Sequence, residues 1–217
     1  ARLFGVDLET GEAEWELDAD DNVGAATNVV GETLYVGDNA GNFWAIEAET
    51  GDVIWENSEG DDYIAAATWV DGDVVTADRG AGAVRLHDAE TGDIVWENTA
   101  PDGHVWSPAV SPSEGMVYAG DEGALHAFDL DTGDIEFSIE TNDRLIASPT
   151  VHDGSVIFAD DADAGTVWSA DAQTGEVEWD FGADEGVAGS PTVAEGLVYV
   201  GAGVDRIVGP DDGYLYA

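Results

Sequence analysis

The residues of this chain best suited to chemistry are carboxylates. The run Asp160-Asp161-Ala162-Asp163-Ala164-Gly165 alternates acids ahead of a Gly, as a loop does when it wraps a hard cation. A complete twelve-residue calcium loop closes with a bidentate Glu, and counted from Asp161 its twelfth position is Ala172. With 29 Asp in 217 residues, such clusters follow from composition. This run, the acids from Asp18 to Asp21, and Asp211-Asp212 are therefore read as solvated, cation-attracting loops, and no metal site is assigned. The four His, at 87, 104, 126 and 152, show no i, i+4 pairing. His87 and His126 fall on strand patterns and read as packed or rim residues. There is no Gly-x-Ser-x-Gly elbow, and the stretch Asp78-Arg79-Gly80-Ala81-Gly82 leads into a strand pattern rather than a helix, so no phosphate cradle is read. The chain has no Cys, which excludes disulfides, thiolate metal sites and cysteine nucleophiles. No catalytic residue is assigned.

Charge limits the partners. There are 48 acidic residues and five basic ones, all Arg (2, 79, 85, 144 and 206), for a net charge of −43. A folded chain of this mass exposes about 9,500 Å², or about one net charge per 220 Å², a spacing of about 15 Å. The Debye length is about 30 Å in 0.01 M salt and about 3 Å in 1 M, so these charges repel one another in dilute buffer and are screened in brine. The acids recur throughout the chain rather than forming one block, which points to a protein adapted to high salt. The same field repels nucleic acid and anionic lipid surfaces. It favours a protein partner or a small neutral or cationic ligand.

The elements that must position any site come from an internal repeat. Thr-Gly recurs at Thr10-Gly11, Thr50-Gly51, Thr91-Gly92, Thr132-Gly133 and Thr174-Gly175, at spacings of 40, 41, 41 and 42. An aromatic stands four residues after each Gly (Trp15, Trp55, Trp96, Phe137, Trp179), and an acid three before each Thr (Asp7, Glu47, Asp88, Asp129, Asp171). Each copy reads as four short strands, for example Ala65 to Val70, Val74 to Ala77, Ala83 to His87 and Ile94 to Glu97. The fold predicted is all-β: a β-propeller of four-stranded antiparallel blades with about five repeats, treated as one domain over 1–217. Thr-Gly is placed in the turn between third and fourth strands, with Gly at positive φ and the acid and Thr capping backbone N–H groups. Third strands carry Phe43, Val84, Leu125, Val167 and Leu215 in register, with Ala45, Ala127, Ser169 and Ala217 two places on, the pattern of strands buried on both faces. Ser107-Pro108, Ser148-Pro149 and Ser190-Pro191 are expected inside first strands, at the innermost edge of each blade, where a missing N–H is tolerated.

The pattern Ala-x-Asp-x-x-Thr-Gly-x-x-x-Trp resembles the tryptophan-docking motif of the pyrroloquinoline-quinone-like (PQQ-like) propeller repeat family. Residues 127–133 match it, with Phe137 in place of Trp; Gly5, Glu47, Leu86 and Ser169 are departures in the other copies. The resemblance implies a docking motif made of Trp15, Trp55, Trp96, Phe137 and Trp179 with Gly11, Gly51, Gly92, Gly133 and Gly175, whose aromatic packs against the neighbouring blade and holds adjacent blades together. Relatives have seven or eight blades, so either a closed five-bladed ring or part of a larger propeller, excerpted from a longer chain, is expected. The quinoprotein dehydrogenases of the family hold their quinone with Ca²⁺ and an adjacent-cysteine disulfide. This chain has no Cys, and neither PQQ nor Ca²⁺ is assigned as cofactor.

One set of positions is carried forward as a binding site. Loops entering the first strands converge on one channel mouth, and aligned copies place Asn22, Tyr63, Gly103, Arg144 and Gly186 at equivalent points, with His104 and Trp106 beside them. Tyr63, His104, Trp106 and Arg144 are the candidate ligand or partner residues. The expected function is a non-catalytic binding or assembly scaffold, with the family resemblance implying an extracytoplasmic or cell-envelope location and the cytoplasm of a salt-accumulating cell as the alternative. The alternatives are a quinoprotein dehydrogenase fragment whose catalytic residues lie outside this segment, and the sensor or interaction domain of a larger membrane-associated protein.

Overall fold

The computed structural model describes residues 1–24, 27–63, 65–203 and 214–216, the last three by backbone alone. Arg206, Asp211-Asp212, Ala217 and the side chain of Leu215 lie outside the described residues. The chain divides into two compact units, Ala1–Thr99 and Ala100–Ala217. Every element among the described residues is a strand.

In the first unit β1 (Arg2–Val6) pairs with β2 (Ala13–Asp18). Two four-stranded antiparallel meanders follow: β3 (Asn28–Val30), β4 (Thr33–Gly37), β5 (Phe43–Glu47) and β6 (Val53–Asn57), then β7 (Thr68–Val70), β8 (Asp73–Asp78), β9 (Ala83–Asp88) and β10 (Ile94–Thr99). The second unit holds β11 (Ala109–Ser111), β12 (Met116–Gly120), β13 (Ala124–Asp129) and β14 (Ile135–Glu140), then β15 (Thr150–His152), β16 (Ser155–Ala159), β17 (Thr166–Asp171) and β18 (Val177–Gly182). It ends in the three-stranded β19 (Thr192–Ala194), β20 (Leu197–Ala202) and β21 (Tyr214–Tyr216). These sheets are propeller blades, roughly five in number, as the repeat predicts.

Second and third strands such as β8, β9, β12 and β13 are buried on both faces, whereas fourth strands such as β10 and β14 alternate buried and exposed. The core lies between successive sheets. Tyr35, Phe43 and Trp55 of one blade pack with Ala67 and Val74 of the next, and Tyr118, Leu125 and Leu145 pack with Val156, Phe158 and Ala170. First strands are shorter than expected. β7 begins at Thr68, because Ala67 turns its carbonyl to the Asn28 side chain at 3.0 Å instead of to a ladder. Pro108, Pro149 and Pro191 stand immediately before β11, β15 and β19 rather than inside them, so no ladder bond is missed.

The Thr-Gly turns form as the sequence predicts, with φ between 72° and 79° at Gly11, Gly51, Gly92, Gly133 and Gly175. The Asp7 carboxylate accepts from the N–H groups of Glu9 and Thr10, and Asp88, Asp129 and Asp171 repeat this. A Cβ on Gly51 would lie 2.6 Å from the Trp15 ring, and one on Gly92 would lie 2.6 Å from Trp55. Each indole N–H donates to the following blade, Trp15 to the Ala48 carbonyl and Trp55 to Ala89, both at 3.0 Å. Phe137 lies over Gly175 in the same way, Trp96 is buried, and Trp179 is 40% exposed.

Candidate functional site

At the end of each complete second strand stands an aspartate with no solvent exposure: Asp38, Asp78, Asp121 and Asp160. A carboxylate out of water is costly unless its lone pairs are met. Here backbone N–H groups meet them from two sides. Asp38 accepts from Ala40, Asn42 and Asp21, and Asp78 from Ala81, Asp61 and Asp62. Asp121 accepts from Gly123, Ala124 and Asp102, and Asp160 from Thr166 and Asn142. Each aspartate thus clips the hairpin between second and third strands to the loop that enters its own blade. That loop also bonds back to the preceding clip: the N–H groups of Tyr63, Leu145 and Val187 donate to the carbonyls of Asp38, Asp121 and Asp160 at 2.9–3.1 Å.

Asp160 therefore overturns the reading of its run as a solvated loop. Its neighbour Asp161 is held by Arg144. Among the described residues, no three His, Asp or Glu are grouped to hold a metal ion. The signal for the clips was present as Gly37-Asp38, Ala77-Asp78, Gly120-Asp121 and Ala159-Asp160, each ending an apolar run.

The residue that follows Asp38, Asp78 and Asp160, and Gly203 after Ala202 in the last sheet, meets the entering loop through its backbone. The N–H of Asn39 donates to the Asn22 carbonyl, Arg79 to Asp62, Asp161 to Arg144 and Gly203 to Gly186, at 2.9–3.1 Å. Side chains pair at the same positions. Arg79 Nε lies 2.9 Å from Asp62 Oδ2, His104 Nδ1 lies 3.1 Å from Glu122 Oε1, and Arg144 Nη2 lies 2.9 Å from Asp161 Oδ2.

This pairing corrects the alignment of the channel-mouth residues. Asn22, Arg144 and Gly186 are equivalent, but their counterparts are Asp62 and His104, not Tyr63 and Gly103. The loop before His104 holds one extra residue, and Tyr63 lies one position further in, where Leu145 and Val187 lie in later blades. Tyr63 is 1% exposed, packed 5.6 Å from Phe43, with its hydroxyl accepting from Arg85 Nη1 at 2.9 Å. Burial pushes that hydroxyl up to about 12. Gly37 leaves room for it, since a Cβ there would meet Tyr63 Cβ at 2.5 Å. Tyr63 belongs to the core and is out of reach of a ligand.

The other three candidates lie at the surface of the second unit. The His104 and Trp106 rings meet edge to face at 6.5 Å, with His104 exposed and Trp106 half-buried. Arg144 is held charged by its hydrogen bond to Asp161 and, at longer range, by Glu122. His104, Trp106, Glu122, Arg144 and Asp161 form one polar rim with an aromatic member.

Beneath the rim a different side chain meets each clip, from the third strand in three blades and from Asn42, just before β5, in the other. Arg85 Nη1 lies 2.7 Å from Asp78 and also bonds Glu97. His126 Nε2 lies 2.8 Å from Asp121, Trp168 Nε1 lies 3.4 Å from Asp160, and the Asn42 amide lies 3.2 Å from Asp38.

The family model described as outer membrane protein assembly factor BamB matches residues 1–99 and 80–211. The chain belongs to this family. It is therefore a PQQ-like repeat propeller, as the Thr-Gly motif implied. Among solved structures it is similar to BamB from Moraxella catarrhalis, with 19% identity over 93% of this chain and 76% of that one and a TM-score of 0.64. It is also similar to the quinohemoprotein alcohol dehydrogenase from Comamonas testosteroni, with 16% identity, 84% and 40% coverage and a TM-score of 0.66. The computationally designed Ika8 protein matches with 16% identity, 89% and 72% coverage and a TM-score of 0.57. The chain spans less than half of the dehydrogenase, and at these identities the likenesses establish the fold alone. No curated protein matches the chain.

Proposed function

We propose that this chain is a non-catalytic binding module of the BamB-like type, which recognises a protein partner through the rim of entering loops. One observation carries the reading. The clip beneath the rim repeats, while the pair above it changes in every blade, from Asn22 and Asn39 to Asp62 and Arg79, His104 and Glu122, and Arg144 and Asp161. A fixed backbone with exchanged surface groups is how a repeat scaffold encodes recognition. The net charge of −43 favours a cationic partner and a working medium of molar salt. A cell-envelope location is part of the proposal and rests on the family's description as an outer-membrane assembly factor.

The test is selection of a displayed random-peptide library on the folded chain in about 2 M KCl, where the charges are screened. Peptides enriched on the rim of the second unit are expected to bind Arg144→Ala about tenfold more weakly, and peptides enriched on the rim of the first unit to do the same with Asp62→Ala. Peptides indifferent to every rim substitution would overturn the reading. So would saturable quenching of Trp emission by pyrroloquinoline quinone with Ca²⁺, which the dehydrogenase alternative requires. A control at about 0.01 M salt is expected to lose the folded emission, as screening vanishes.

A further inference from the structure

The clip in the blade β11–β14 extends through an imidazole to a surface hydroxyl. His126 on β13 stands opposite Ser138 on β14, with Nδ1 2.7 Å from the Ser138 hydroxyl and Nε2 2.8 Å from Asp121 Oδ2. Asp121 is fully buried and His126 is 2% exposed, while Ser138 lies on the exposed side of its strand. The other Asp121 oxygen is occupied by the N–H groups of Gly123 and Ala124 at 3.0 and 2.9 Å, which fixes the carboxylate. Burial opposes its charge, but the hydrogen bonds of His126 and the backbone prevail and hold its pKa below the usual range. An ionised Asp121 needs the proton on Nε2, and the Nδ1 lone pair then faces the serine hydroxyl.

We propose that Ser138 is a nucleophilic serine acylated by neutral or cationic activated esters, with His126 as its base and Asp121 as the group that orients the base. The nucleophile-to-base and base-to-orienter contacts have the lengths this chemistry requires. The cross-strand pairs at the same place in the other complete blades are Trp44 with Glu56, Arg85 with Glu97 and Trp168 with Asp180, none of which joins a hydroxyl to a base. The clip is a repeated structural device, and its extension to a hydroxyl belongs to this blade. Glu136 and Glu140 flank Ser138 on the exposed side of β14, and with the net charge they disfavour anionic reagents. In the step, the Ser138 proton passes to His126 Nδ1 as Oγ bonds to the acyl carbon. The bond to the leaving oxygen breaks, and that oxygen takes the proton from Nδ1, giving acyl-Ser138 and a free alcohol with no change in oxidation state.

The test is labelling of the whole chain with an uncharged fluorophosphonate in about 2 M KCl, with adducts mapped by peptide mass spectrometry. Here Oγ bonds to phosphorus and fluoride leaves with the proton. Ser138 is expected to react about a hundredfold faster than Ser113 or Ser155, the gain a positioned general base supplies. Ser155 bonds the Glu178 carboxylate at 2.8 Å, and Ser113 bonds Glu114 at 2.6 Å and the Ser111 hydroxyl at 3.3 Å; neither contact is to an imidazole, and the two serve as internal controls. His126→Gln, with unaltered Trp emission, is expected to bring Ser138 down to their rate. Equal labelling of the three serines in the unmodified chain overturns the proposal without any variant. An undiminished rate in folded His126→Gln does so as well.

Discussion

The blades β7–β10 and β11–β14 place a fully buried aspartate at the same point, each with three backbone N–H donors, and differ in the side chain that faces it. Asp78 takes Asp61, Asp62 and Ala81; Asp121 takes Asp102, Gly123 and Ala124. Against Asp78 stands Arg85, for which burial opposes the charge but Tyr63, Asp78 and Glu97 outweigh it, so its pKa is raised. Against Asp121 stands His126, which can be neutral. In β3–β6 and β15–β18 the facing groups, the Asn42 amide and the Trp168 indole, carry no charge at all. The backbone donors are what every clip shares. Across the four complete blades the facing position varies while the aspartate does not.

The comparison is broken or sharpened first by removing the two aspartates in turn. Asp78→Ala leaves an arginine buried that cannot shed its proton, and is expected to cost about 3–5 kcal/mol. Asp121→Ala loses as many backbone hydrogen bonds but leaves a histidine that can stay neutral, so its cost is expected at about 1–3 kcal/mol. Denaturant unfolding near neutral pH measures both. Equal costs would mean that the facing charge is irrelevant to the clip.

The sequence made some of this geometry legible. Thr-Gly with its acid and aromatic marks turns that bond locally, and local bonds leave a fixed spacing, so the blades and their central strands could be read. The clips were missed because Asp38, Asp78, Asp121 and Asp160 are four among 29 aspartates, and what distinguishes them is burial. Only the small residue before each one recorded it, as the space Gly37 leaves for Tyr63 and Gly120 for Leu145. The one-residue slip at Tyr63 has the same origin. Its exposure is decided by packing against Phe43 and the Arg85 hydrogen bond, and neither contact is local in sequence.

A second difference between the two blades is His87, which occupies the third-strand position held by Phe128 in the other. His87 is fully buried, with Thr76 Oγ1 3.1 Å from Nε2, and desolvation drives its pKa down to about 4. Above pH 6.5 folded and unfolded chains both carry it neutral. As the pH falls from 6.5 toward 4, the unfolded chain takes up a proton that the folded chain refuses, and stability of up to about 3 kcal/mol is lost. His87→Phe is expected to flatten the stability profile through that window. The turn carboxylates Asp7, Asp88, Asp129 and Asp171, held below their usual range by bonds to the threonines three residues on, act only at lower pH. Unfolding midpoints at pH 7, 5.5 and 4 check this, and an unchanged slope in the variant would mean that His87 is protonated in the folded state.

The smallest effect is expected where Tyr63 and Leu145 occupy the same inward position. Leu145 fills it with carbon alone, while Tyr63 adds a hydroxyl that accepts from Arg85. Tyr63→Phe keeps the volume and removes one acceptor from a guanidinium that retains Asp78 and Glu97, so the cost is expected at about 1.5 kcal/mol, the value of a hydrogen bond to a charged group. The same substitution combined with Arg85→Met should then cost no more than Arg85→Met alone, because the hydroxyl has lost its donor. Additive costs in that cycle would place the role of the hydroxyl elsewhere. A coupled result would tie the arginine, the clip beneath the rim and the inward residue of the entering loop into one unit, which the blade β15–β18, entered through Leu145, builds without a permanent charge.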